Sequence, residues 1–375
     1  MPVRENGADP RPEGRVDSAI SASGSLRDQV SAFTRRPSLS PGRIMLAIGS
    51  VLLVLALLWF GLPWATGSSR TQIITALMSV PAWAPVVMVL LGVLAIALEA
   101  LTVSAAARGA GYVRSLHAHA AASGMMLVIP GGGLAGMGLM GWLLHRAGLT
   151  IGVILLGIIT ASLVEVVVSS VLLPLVGLGA WAVTVYGTGA SLDLPGGIGA
   201  VLGILGIAAV SLALGAVLLN RSLLDSLLSR LEPLSADARQ VRDVVMPLRD
   251  GLVELLATRW VALLLPTLAA RVVQAVAFVL ALQAVGAELS LTAAVAVFAL
   301  ARVLSLVPIT PGGAGVTETV GAAALVALGL GAGQAASAML LFALVTLVVP
   351  VLAGGAAAVT VPRSVRARPS GPVDA

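Results

Sequence analysis

Residues 307–316 read Val-Pro-Ile-Thr-Pro-Gly-Gly-Ala-Gly-Val, a run of helix-breaking residues set between two apolar stretches, 289–307 and 316–330. Irregular backbone survives at membrane depth only where protein buries it or a watery cavity satisfies its amides, so such a break marks a candidate substrate position. The membrane reading follows from the rest of the chain. Its 375 residues are 58% hydrophobic and 10% charged, with a mean hydropathy of +1.04. That polarity is too low for a soluble domain of this length, so the expected fold class is all-α, a polytopic transmembrane helix bundle.

Apolar stretches long enough to cross about 30 Å of hydrocarbon lie near 44–64, 82–105, 150–173, 198–219, 260–285 and 335–361. Two more, 118–145 and 289–332, are interrupted by Pro and Gly. The first divides into 118–129 and 134–144, lengths that suit re-entrant half-helices, while the second is either re-entrant or two full spans. The domain organisation read from this is a disordered tail over 1–43, a transmembrane domain over 44–361 and a second disordered tail over 362–375. Within the domain, the 220–259 loop carries Leu223, Leu224, Leu227, Leu228 and Leu231 at helical spacing. This predicts an amphipathic helix that packs on the bundle or headgroups, or binds a partner.

All 22 basic residues are arginine. Seven precede residue 44, and Arg108, Arg114, Arg146, six from Arg221 to Arg259, and Arg363, Arg366 and Arg368 fall on the same side of the implied topology. Only Arg70 lies in an opposite loop; Arg271 and Arg302 are inside apolar stretches. The positive-inside rule then makes both termini and the 220–259 loop cytoplasmic, in a multi-pass protein of the cell (plasma) membrane. A nucleic-acid partner is excluded, because the arginines form no stripe interleaved with aromatics, which are only 3% of the chain. There is no cysteine, and of three histidines His117 and His119 point to different helix faces while His145 lies elsewhere. No metal site and no cofactor are expected.

Pro130-Gly131-Gly132 aligns with Pro311-Gly312-Gly313 at an offset of 181 residues, and the same offset carries Gly148 onto Gly329. Under the topology above, one broken stretch starts and ends on the cytoplasmic side and the other on the outer side. The two elements are then inverted copies, an arrangement transporters use to open one cavity to each side in turn.

A charge at mid-bilayer costs roughly 2.5–3.5 kcal/mol on insertion scales, so intramembrane ions need a partner or a task. Glu165 shares a helix face with Ser162 and Ser169, and Arg271 shares one with Thr267 and Gln274. Arg302 precedes Pro308 by a turn or two and Glu318 follows Pro311 by about two turns. Both are placed to line a vestibule where Arg302 and the helix N-terminus after Gly315 meet a phosphate. The structural alternative is an Arg302–Glu318 pair that only neutralises itself. Glu99, near the inner end of its span, reads as a snorkelling side chain. Gly131-x-Gly133-x-x-Gly136 matches the dinucleotide fingerprint in letters alone, since no strand precedes it. No nucleophile–base set and no paired-carboxylate hydrolase emerges.

Pro308-Ile309-Thr310-Pro311-Gly312-Gly313-Ala314-Gly315-Val316-Thr317-Glu318 resembles the hallmark of the lysylphosphatidylglycerol synthase transmembrane-region family, the flippase-like integral membrane proteins. The earlier Ile129-Pro130-Gly131-Gly132, followed by Leu143-Leu144-His145-Arg146-Ala147-Gly148, is similar to the pattern of actinobacterial members. The resemblance covers about residues 44–361. It implies a bundle with inverted, partly re-entrant repeats that moves lipid, the best understood members translocating aminoacylated phosphatidylglycerol. Its motif positions are Pro308, Thr310, Pro311, Gly312, Gly313, Gly315 and Glu318. Many relatives carry Gly-Glu-x-x-Arg after the first Pro motif, where this chain has Gly136-Met137-Gly138-Leu139-Met140, so the headgroup stays open. Bifunctional members also carry a soluble acyltransferase domain; the residues after 361 are too few for one, and no lysyltransferase activity is expected.

The expected function is thus a lipid translocase and not an enzyme, with no catalytic residues and a membrane phospholipid or glycolipid as substrate. The candidate substrate-binding residues are the motif positions with Arg302, Arg271, Glu165, Pro130, Gly131 and Gly132. The alternatives are a membrane-embedded enzyme acting on lipid or polyprenyl-phosphate intermediates, with Glu165 or Glu318 as its acid, and a scaffold for a partner membrane enzyme.

Overall fold

The structure, a computed structural model, describes residues 11–22, 41–129, 131–188, 197–231, 238–305 and 310–360. Where nearly every side chain is apolar, a helix is the way to satisfy each backbone amide without water, and the described residues contain helices and no strand. In chain order these are α1 (Pro12–Ala22), α2 (Pro41–Ala56), α3 (Leu62–Thr66), α4 (Arg70–Met78), α5 (Trp83–Ala106), α6 (Tyr112–Val128) and α7 (Gly132–Arg146). Then come α8 (Ile151–Val167), α9 (Leu173–Thr188), α10 (Gly197–Leu219), α11 (Arg221–Leu231) and α12 (Ala238–Ala284). The chain closes with α13 (Leu291–Leu304), α14 (Val316–Ala327), α15 (Ala332–Ala343) and α16 (Val349–Val359). Single π turns join α2 to α3, α8 to α9 and α15 to α16.

Five continuous runs are long and apolar enough to cross a membrane: 45–66, 83–106, 151–186, 239–284 and 332–359. A further stretch, 205–219, qualifies only together with α11, into which it bends by 89°. Five of the six expected spans thus have a continuous run. Leu52, Leu90, Val210, Leu265 and Leu352 stand exposed on the outside of the bundle, a surface that hydrocarbon covers and water would not. The expected bundle of membrane-spanning helices is what the chain forms.

Local chemistry sets the helix ends. Ser69 and Gln72 form a reciprocal capping box at the start of α4, and Ser290 Oγ accepts from the Ala293 N–H at the start of α13. Helix α12 is broken at Arg259 (φ −131°), where its polar first half meets its apolar second half. The core draws on distant segments: Phe278 of α12, Phe298 of α13 and Phe342 of α15 meet with ring centroids 5.2–6.2 Å apart. Helices α6 and α16 pack backbone to backbone at Gly124 and Gly354, where a Cβ on Gly124 would lie 2.8 Å from the Gly354 Cα.

Two departures from the sequence reading concern the ends of elements. The broken stretch 118–145 forms α6 of 17 residues and α7 of 15, longer than the expected halves, and α6 at about 25 Å still falls short of the hydrocarbon thickness. Its counterpart forms α13 of 14 residues and α14 of 12. Residues 12–22, expected to belong to a disordered tail, form α1. Val16 and Ile20 are buried, and the helix packs on α8 and α12. Glu13 pairs with Arg108 at 3.4 Å, Arg15 with Asp250 at 3.8 Å, and the Gly152 N–H donates to Asp17 Oδ1 at 2.8 Å, capping α8 from a distant segment. Helix α11 is amphipathic as expected, with Leu224 and Leu228 buried and Leu223 and Leu227 exposed. The 362–375 tail lies outside the described residues.

Candidate functional site

Five helices each bring one ionisable side chain to a common point inside the bundle. Arg271 of α12 stands at the centre, its Nη1 2.9 Å from Glu99 Oε1 (α5) and its Nη2 2.6 Å from Glu165 Oε2 (α8). The other Glu99 oxygen meets His119 Nε2 (α6) at 3.0 Å, and the other Glu165 oxygen faces Arg302 Nη2 (α13) at 4.0 Å. The polar neighbours on each face join in: Ser169 Oγ donates to Glu165 at 2.6 Å, and Arg271 donates to Gln274 at 2.7 Å. Thr267 is bonded to Thr102 of α5 at 2.8 Å, tying α12 to α5 one turn away. Two carboxylates against two guanidiniums leave the set neutral when His119 is neutral, which is the condition for holding charge in a medium that solvates it poorly.

The pairs are unequal. Arg271 is only 5% exposed and held on three sides, whereas Arg302 has a single long contact; the Nε of each is buried with no hydrogen-bond partner among the described residues. A cavity of about 410 Å³ opens between α9, α12 and α13, walled by Leu172, Val176, Val272, Val276, Val295 and Phe298, with Arg271 contributing to its lining. A π turn, Val168–Leu172, begins three residues after Glu165 and buries Ser169 and Ser170. The extra backbone residue of such a turn re-aims the side chains around it, a device common at functional sites.

The second glycine motif forms a tight 3-10 turn, Pro311–Gly313, ahead of α14. Gly312 and Gly131, which the 181-residue offset pairs, share the left-handed backbone region at φ +60° and +67°. So do Gly329 and Gly148, at φ +91° and +90°, and both end their helices with the same bond, Leu330 N–H to Leu325 O and Leu149 N–H to Leu144 O. The sequence match is accompanied by like backbone at these two pairs, but not at the third, where Gly313 has φ +72° and Gly132 is helical. The second turn also meets α6: a Cβ on Gly312 would lie 2.3 Å from Leu127 Cδ2, near the end of that helix.

Of the candidates read from sequence, the structure unites Arg271, Glu165 and Arg302, and gathers Thr310, Pro311, Gly312, Gly313, Gly315 and Glu318 around the turn. Gly131 and Gly132 start α7 close by. Pro130 and Pro308 lie outside the described residues. Arg302 and Glu318 form no ion pair. Glu318 is 1% exposed, and its Oε2 instead accepts the Gly315 N–H at 2.6 Å, so it caps its own helix and occupies an N–H that had been expected to face a phosphate. Thr310, Thr317 and Thr319 have buried hydroxyls with no partner among the described residues.

Glu99 requires a correction. It does not snorkel: a guanidinium from α12 and an imidazole from α6 hold it inside the bundle. His119 had been considered only as a metal ligand and set aside. Its signal was present in the helical spacing that puts Ser123 on the same face, where the hydroxyl donates to the His119 carbonyl at 2.9 Å.

The family model for the lysylphosphatidylglycerol synthase TM region matches residues 46–354. The chain belongs to that family. The match spans the helices that carry the network and both glycine turns, and leaves out α1. No curated protein matches the chain.

Proposed function

We propose that this family member is a non-enzymatic lipid translocase that moves a phospholipid or related polar-headgroup lipid between leaflets of the plasma membrane, with both termini cytoplasmic. The observation that carries the reading is the five-helix charge network, and above all the loosely held guanidinium of Arg302 within it. Arg271 locks Glu99 and Glu165 together, while Arg302 has donors to spare for a phosphate, which a planar guanidinium binds in bidentate fashion. The apolar cavity beside Arg271 offers an acyl chain a place while the headgroup meets the network. The paired glycine turns are read as the tips of two inverted, re-entrant elements whose rocking exposes the network to either side. Partner membrane enzymes remain compatible with this role. An enzymatic role has less to work with, because Arg271 already engages both network carboxylates and leaves neither free as acid or base.

The test is a leaflet assay in proteoliposomes, with a fluorescent phosphatidylglycerol and a membrane-impermeant quencher. Hydrogen bonds to charged groups are worth about 1.5–3 kcal/mol, so Arg302→Ala should slow translocation by about ten- to a hundredfold. Wild-type rates in Arg302→Ala would remove the proposed site.

A further inference from the structure

The network holds one imidazole, that of His119, and the translocation scheme above leaves it without a task. Histidine is the side chain that gains and loses a proton in the physiological range. His119 sits seven residues into α6, about 10 Å along the helix from the arginine-rich end of the bundle. From there Glu99, Arg271, Glu165 and Arg302 follow one another inward in alternating charge. Its surroundings are sparse in other titratable groups. Helix α5 presents Glu99; α6 itself adds His117, whose Nε2 has no partner among the described residues, and Ser123, and carries Tyr112 and Arg114 in its first turn. On α7 the basic residues are in the last turn, α16 has none, the 311–313 turn has none, and α2 carries only Arg43 at its start.

We propose that the His119–Glu99 pair binds a coupling proton, taken up together with an anionic headgroup so that the five-residue network stays neutral. The inference rests on the translocase reading. With His119 neutral the network sums to zero, and a phosphate monoanion arriving at Arg302 leaves an excess negative charge inside the bundle. A proton on His119 cancels it. The same proton acts on the geometry, because an imidazolium 3.0 Å from Glu99 competes with Arg271 for that carboxylate and turns Arg271 towards the incoming anion. Binding linkage is reciprocal, so the anion must raise the proton affinity of the pair by the factor with which the proton raises anion affinity.

The experiment is titration calorimetry of the full chain in detergent with dioctanoyl phosphatidylglycerol, from about pH 5.5 to 8, in buffers of different ionisation enthalpy. The wild type should take up as much as one proton per lipid, and its affinity should fall at least about fivefold across the range, the low end of ordinary coupling. Dioctanoyl phosphatidylcholine, whose headgroup is neutral overall, should bind without proton uptake. His119→Gln should bind phosphatidylglycerol with no uptake and no pH dependence, and His119→Arg should keep tight binding at the alkaline end. Binding of phosphatidylglycerol by the wild type without proton uptake overturns the coupling and leaves the translocase reading standing, as does uptake that persists in His119→Gln. No binding at any pH removes both. If His119→Gln does not purify as a single species, the wild-type proton counts with the two lipids decide the matter by themselves.

Discussion

Replacing Arg271 with alanine removes the centre of the network and leaves Glu99 and Glu165 facing each other without a cation between them. Breaking a buried ion pair from one side costs about 3–5 kcal/mol, because the remaining charge stays buried. The two arms do not weigh equally: the Glu99 side chain is 18% exposed and that of Glu165 37% exposed, so screening weakens the second. The expected loss is therefore near the low end, about 3 kcal/mol of unfolding free energy. Arg70→Ala is the control, since Arg70 is exposed and only stacks on Trp59 and Phe60, with centroid distances of 5.3 and 5.1 Å. Such a contact is worth about 0.5–1 kcal/mol. Denaturant titration of the detergent-solubilised protein measures both. Arg271→Met and Arg302→Met combined with Glu99→Gln and Glu165→Gln should recover most of the loss, because removing all partners of a buried network is often close to neutral. The reasoning fails if Arg271→Ala is no more destabilising than Arg70→Ala, or if the quadruple variant is no better than the single one.

Other positions test separate parts of the structure. Gly312→Ala should lose about 1–2 kcal/mol from its left-handed backbone, and adding Leu127→Ala should relieve the side-chain clash without restoring that part. Gly124→Ala presses on backbone atoms of Gly354 and Pro350, so an overpacking cost of about 1–3 kcal/mol in a melting assay should resist rescue by trimming any side chain. If Glu318 acts as a cap, Glu318→Gln should stay within about 0.5 kcal/mol of wild type while Glu318→Ala loses about 1 kcal/mol. Asp17→Ala should destabilise by about 1 kcal/mol and speed amide exchange at Gly152, and unchanged exchange there would show that α1 does not cap α8.

The five continuous spans could be read from sequence because each is a local property, some twenty apolar residues in a row needing no partner to be recognised. The left-handed pairs Gly131/Gly312 and Gly148/Gly329 were readable for a related reason, since a left-handed turn position favours glycine wherever it occurs. Pairing of charges was not readable. Nothing near Glu99 in sequence announces Arg271, and depth in the span alone favoured snorkelling. The cap by Glu318 was within reach, because a glutamate three residues after a helix start is a recognised pattern. Its position beside the glycine turn drew it into the proposed cavity instead. Helix α1 carried the weakest signal of all, because two buried apolar residues and three polar contacts to distant segments leave no local periodicity to detect.

Helix α1 also bears on the order of events during synthesis. It leaves the ribosome before Arg108, Gly152 and Asp250, which receive it. Its docking therefore waits for the first half of α12, more than two hundred residues later. An antibody to its buried Val16 and Ile20 face would recognise shorter chains and lose them once α1, α8 and α12 have come together, giving a time stamp for that step of folding.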